Sequence, residues 1–254
     1  MQRIFVETTI QIQRLLQDPI AVPRIETVLQ RHQVITSTYV WMEVQRTVGQ
    51  DYQYLIDLLL TRQPTTISQL MRHLGTGENL YSSRSLKRML HITAYWLELL
   101  DSATFEPIEL AYQLRRQRRH LLHQAFFEHV DEVVNPTHCD LIQPDYTIQT
   151  SGRMSCRRET AACSLHELLQ ANQSVLQPLQ TNSAVFDNLD VKTQRVLRDI
   201  IPDFTMAKGE RNCWSIGDLI ITLECPGDAA LWTTNIQHFD PLCQALGKSL
   251  FRPD

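Results

Sequence analysis

The chain has 254 residues, 43% of them hydrophobic and 20% charged, enough apolar content for one large domain or two small ones. A net charge of -4 and a pI of about 6.1 exclude a global cationic field that would hold nucleic acid non-specifically. With 8 Gly and 11 Pro, a low-complexity or fibrous class is excluded as well.

In chain order, "RIFVETTIQIQRLLQD" opens with a short apolar run, Ile4 to Val6, that favours a strand. A helical pattern follows, with apolar Ile10, Ile12, Leu15 and Leu16. "QVITSTYVWMEVQRTVGQ" repeats the scheme. Val34 and Ile35 make a strand, Thr36, Ser37 and Thr38 offer capping oxygens, and a helix with Val40, Glu43, Val44 and Thr47 runs to Gly49. From 51 to about 135 the patterns are long and helical, with no β-like run between them. Residues 135–164 are polar and irregular, with Pro136, Pro144, Gly152 and three cysteines, and "SLHELLQANQSVLQPL" is helical again. Near the end, "SIGDLIITLEC" reads as an apolar helix, followed by a short buried strand that finishes in Thr-Thr-Asn. Buried strands alternating with helices predict an α/β fold with a mainly parallel sheet. It is split in sequence into 1–50 and 200–254, with a mainly helical insertion at 51–199.

Three acids occupy comparable places in the two halves: Glu7 directly after the first strand, Glu43 early on the helix after the second, and Asp218 at the start of the late apolar helix. In a parallel sheet these positions converge on one edge, where ligands bind. Carboxylates gathered there repel one another unless a divalent cation sits between them, and oxygen donors suit Mg²⁺ or Mn²⁺. Each acid also has a purely structural explanation. Asp218 completes a Ser-x-x-Asp capping box with Ser215, Glu43 can be a solvated helix residue, and Glu7 a surface charge near the chain end.

The segments "IFVETTIQI", "ITSTYVWMEVQRTV", "SIGDLIITLE" and "LWTTNIQHFDPLCQALG" resemble, in order, the four signature segments of PIN domains. The resemblance covers about 50 residues at the N-terminus and about 55 at the C-terminus. It implies a three-layer α/β/α sandwich and a Mg²⁺- or Mn²⁺-dependent endoribonuclease acting on RNA, of the kind found in bacterial toxins and RNA-processing factors. By the same resemblance Glu7, Glu43 and Asp218 are the catalytic, metal-holding acids, with Asn235 as a further ligand and Thr233, His238 and Asp240 as additional candidates. Phe239 would be the core anchor. Two positions depart from the pattern. Glu7 stands where the family has Asp, displacing the carboxylate by about 1.5 Å. His238 stands where an acid often precedes the Phe, and Asp240 follows it instead. An imidazole ligand tilts preference towards Mn²⁺. The same departures suit a catalytically degenerate scaffold that binds protein or RNA through its helical insertion. A receiver-type regulatory domain lacks support, because the close acidic pair it needs near the first strand is absent.

Within the insertion, Cys139, Cys156, Cys163 and His166 are four ligands suited to a structural zinc, although no Cys-x-x-Cys pair occurs and scattered metal-free cysteines are the alternative. Cys213, Cys225 and Cys243 lie in apolar contexts as small core residues. Arg115, Arg116, Arg118 and Arg119 form a cluster that could track RNA phosphates. The alternative is a solvated helix face paired with acids such as Glu109 and Glu128. Trp96, Leu97, Leu99 and Leu100 read as core or subunit interface. The first residues lack a signal-segment pattern, and no run reaches the roughly 18 apolar residues of a membrane span. A cytoplasmic protein without membrane contact is therefore expected, its cysteines free or metal-bound.

Overall fold

A computed structural model describes every residue except 77–81, 101–104, 119–121, 148–155, 158, 182–185, 188, 190 and 254. The chain divides into two compact units: Met1–Gln11, Pro23–Glu43 and His129–Asp254 form one, Ile12–Val22 and Val44–Glu128 the other.

The first unit is built on a five-stranded sheet in the order β3-β2-β1-β4-β5, with every pairing parallel. Its strands are β1 (Arg3–Val6), β2 (Gln33–Ser37), β3 (Glu132–Val134), β4 (Ala230–Trp232) and β5 (Ser249–Phe251). The three central strands are short, and past their first residues β1 and β2 are buried throughout, as is all of β4, in keeping with a sheet covered on both faces. Ile4, Phe5, Ile35 and Leu231 are all fully buried. The connection from β1 to β2 carries α1 (Thr8–Leu15) and α2 (Ala21–Leu29), and α3 (Thr38–Val44) starts immediately after β2. The parallel α/β sheet expected from the alternating pattern is thus present.

Strand β3 is the element the sequence pattern hides. Residues 51–135 read as uninterrupted helix, but Glu132–Val134 pairs with β2 in the register Ile35↔Glu132 and Ser37↔Val134. Three residues are too few to show a period. The strand is held by its neighbour instead: Asp131 N donates to Val34 O at 2.9 Å, and Val34 N donates to Asp131 Oδ2 at 2.7 Å. Residues 129–199, placed with the insertion on sequence texture, accordingly cluster with the sheet.

The second unit is helical: α4 (Gln50–Arg62), α5 (Ile67–Thr76), α6 (Ser83–Leu100), α7 (Pro107–Arg116) and α8 (Leu122–Phe127). A π-helical turn, Gln45–Gly49, leads into α4, which ends on Gln63 in the left-handed region at φ 41°. Leu55, Leu59, Leu70, Met89 and Phe126 are buried in its core. Trp96 belongs to this core as well, with its edge against Tyr95. Asp51 is buried and bound by Ser85 and by Arg88 Nε at 2.5 Å.

The remaining helices belong to the first unit: α9 (Leu165–Ala171), α10 (Gln173–Thr181), α11 (Val191–Ile200), α12 (Gly209–Ser215), α13 (Gly217–Glu224) and α14 (Ile236–Ala245). Helix α13 is apolar around nearly its whole circumference and buried accordingly. Helix α14 stops at Leu246, and Gly247 takes the left-handed φ of +64° that reverses the chain into β5. No described helix is long and apolar enough to cross a membrane.

Candidate functional site

Strand order reverses at β1. The chain steps from β1 through β2 to β3 on one side, and β4 and β5 lie on the other. In parallel sheets, ligands bind at the carboxyl ends of the strands that flank such a reversal, here β1 and β4. Register places Val6 beside Trp232, so the next residues, Glu7 and Thr233, emerge side by side. Glu7 N donates to Trp232 O at 3.2 Å.

Glu7 is a buried helix cap rather than a surface charge. It is 1% exposed, its backbone carbonyl accepts from Gln11 N, and its Oε2 accepts from Thr9 N at 2.8 Å. The Thr9 hydroxyl donates to Oε1. Burial pushes the Glu7 carboxyl up to about 7, against hydrogen bonds from Thr9 and Thr233 that favour the charged form, and the nearby Glu43 charge adds to the rise.

Glu43 comes from α3. Thr8 Oγ1 donates to its Oε2 at 2.7 Å. Its Oε1 lies against Gly217, where an added Cβ would stand only 2.7 Å away. Only a residue without a side chain allows that approach, and it brings Glu43 up to the start of α13, one residue before Asp218.

Asp218 is the second residue of α13 and half-exposed, with its Oδ2 3.0 Å from His238 Nδ1. The capping-box explanation does not describe it. Ser215 ends the preceding helix and donates to Arg211 O, and no side chain caps α13. Asn235 sits where β4 gives way to α14, its amide N donating to Thr233 Oγ1 at 2.8 Å. Asp240 turns away, towards Gln244 Nε2 at 3.0 Å and Arg252 at 4.0 Å.

One member of the cluster was missed from sequence. Glu224, the last residue of α13, is 3% exposed. Thr137 Oγ1 donates to its Oε1 at 2.9 Å, while Oε2 has no hydrogen-bond partner. Burial pushes this carboxyl up to about 7; Ser37 and Thr137 hydroxyls oppose the rise and the Glu43 charge adds to it. The available signal was a lone acid inside an otherwise apolar helix, where a charge needs a reason to be buried.

Glu43 thus acts electrostatically on both Glu7 and Glu224, and it lies against Gly217, the residue before Asp218, which in turn meets His238. The carboxylates are neighbours without forming a finished chelate: among the described residues, no group of three or more His, Cys, Asp or Glu is placed to hold a metal ion. Their chemistry nonetheless fits a hard cation. The carboxylates offer oxygen donors, and Glu224 Oε2 has no hydrogen-bond partner, whereas both Glu7 oxygens accept from Thr9.

The cysteines of the irregular segment also converge. Cys139, Cys156 and Cys163, with Asp140 and Cys213, line a cavity of about 30 Å³. Burial pushes the Cys139 thiol up to about 12 and Cys156 up to about 11, and raises Cys163. All three are half-buried free thiols. His166 does not line the cavity; its Nε2 is 3.9 Å from Glu167. Of the arginine cluster, Arg115 and Arg116 are exposed at the end of α7, Arg118 Nε donates to Gly49 O at 3.0 Å, and Arg119 lies outside the described residues. Glu109 and Glu128 bond Gln113 and Arg14. Compared with known proteins, the chain matches no family model, no curated protein and no solved structure.

Proposed function

We propose that the protein is a PIN-like, divalent-metal-dependent endoribonuclease, with its acidic site at the carboxyl ends of β1 and β4. The observation that carries this reading is the position of Glu43: its charge acts on the buried Glu7 and Glu224, and its Oε1 lies against Gly217, the residue before Asp218. Mutual repulsion among buried acids costs stability and is retained where a cation or a reaction uses it. Glu43 and Asp218 would hold Mg²⁺ or Mn²⁺, joined by Glu7 and Asn235. The cation, when bound, supplies charge neutralisation and Lewis acidity for phosphodiester hydrolysis.

The chain's own groups set the geometry. Thr8 orients Glu43, Gly217 lets its carboxylate reach the start of α13, and His238 Nδ1 fixes Asp218 Oδ2. Thr233 draws the β4 end onto Glu7. The test is cleavage of end-labelled RNA in Mn²⁺ by Asp218→Asn. Loss of roughly 100-fold or more in rate with an unchanged melting curve is expected; a variant that cuts as fast as wild type refutes the site.

A second reading, a degenerate scaffold binding protein or RNA through its helical unit, is favoured by one observation. The Glu7 carboxylate is sealed and committed to capping its own helix. Calorimetric titration with Mn²⁺ separates the two. Binding that Asp218→Asn removes supports the nuclease, and a silent titration supports the scaffold.

A further inference from the structure

A cleft of about 750 Å³ opens beside α11 and α12. Its lining includes Arg195 and Asp199 from α11, and Lys208, Glu210, Arg211 and Trp214 from the turn and helix that follow. The three cations against two acids leave a net of 3 − 2 = +1 in one concavity of a chain whose overall charge is -4. No ion pair with the described residues engages Arg195, Lys208 or Arg211. Arg195 and Arg211 are exposed, while Lys208 and Trp214 are half-buried in the wall. Thr193 Oγ1 donates to Ser215 O at 2.6 Å, which pins α11 to the end of α12. Cationic side chains around an aromatic face are the composition that grips single-stranded nucleic acid, phosphates on the cations and a base on the ring. The volume falls in the roughly 300–1,000 Å³ range of small-ligand sites. Trp214 precedes Asp218 by four residues, so the cleft's wall runs directly into the helix that carries the acid.

We propose that this cleft holds a segment of single-stranded RNA, its phosphates on Arg195, Lys208 and Arg211 and a base against Trp214. The choice of RNA rests on the nuclease reading, but binding here is separable from cutting. The phosphate grip is thereby assigned to residues spread over 17 positions rather than to the Arg115–Arg119 run.

The experiment measures anisotropy of a short fluorescein-labelled single-stranded RNA with the full chain in EDTA, across a salt series. Arg195→Ala, Lys208→Ala and Arg211→Ala should each weaken binding and flatten the logarithmic salt dependence by roughly 0.7. Trp214→Leu should weaken binding by roughly 5- to 100-fold, and Trp214→Phe should restore most of it. Melting curves matching wild type establish that the charge variants are folded. The proposal is overturned if the triple charge variant binds with wild-type affinity and salt dependence. It is equally overturned if polyglutamate displaces the RNA as well as unlabelled RNA does, which would mark an acidic protein as the partner. If Asp218→Asn cuts like wild type while the charge variants lose binding, the assigned catalytic site falls and the cleft stands. If Asp218→Asn is inactive and the charge variants bind normally, the reverse holds.

Discussion

Replacing Glu224 with Gln removes a carboxyl that the fold holds in its neutral form up to nearly neutral pH. The carboxyl titrates near 4.5 when unfolded and near 7 when folded, a gap corresponding to about 3 kcal/mol. The sign follows from proton binding. Between those two values the folded protein holds more protons than the unfolded chain, so stability is greatest below about 4.5 and falls as pH rises to about 7. Glu7 contributes in the same direction over the same window. In the variant the carbonyl oxygen keeps the Thr137 bond, and the amide replaces a charge whose Oε2 is orphaned. Metal-free Glu224→Gln should therefore match wild type near pH 4.5 and exceed it at pH 8 by up to about 3 kcal/mol. For a chain of this size that is roughly 6–12 °C in melting temperature. Circular dichroism melts and guanidinium titrations in EDTA, from pH 4.5 to 8.5, read both quantities. Wild-type stability that stays flat or rises across the window, or a variant less stable than wild type at pH 8, would refute the reasoning.

Gly217→Ala places a methyl 2.7 Å from Glu43 Oε1 and 3.2 Å from the Tyr39 hydroxyl. It should displace the carboxylate, costing about 1–3 kcal/mol in melts and lowering RNA cleavage; wild-type cleavage would show that Glu43 need not approach α13. Arg88→Met strands the buried Asp51 carboxylate and should destabilise the helical unit by about 3–5 kcal/mol, with Asp51→Asn in the same chain recovering part of the loss. Equal melts for the single and double variants would show that the pair is not coupled. His238→Ala should lower Mn²⁺ affinity more than Mg²⁺ affinity in calorimetry, since an imidazole suits the softer ion; equal losses would limit His238 to orienting Asp218.

The strands around Ile4, Val34 and Leu231, and hence a parallel α/β sheet, follow from local pattern, because a run buried on both faces must be apolar throughout. Glu7, Glu43 and Asp218 were legible as candidates because each stands where such a sheet turns into a helix. What only the tertiary structure decided depends on residues far apart in the chain. Strand β3 exists because Asp131 bonds Val34 across 97 residues. The Glu7 backbone bonds Trp232 because β4 pairs alongside β1, Asp240 points to Arg252, and Asp218 is turned to His238. Glu224 joined the acidic cluster because burial beside Thr137 and Glu43, which no helical period encodes, sets its charge state. A sequence records which side chains a helix or strand presents; desolvation and pairing arise only once distant segments close on one another.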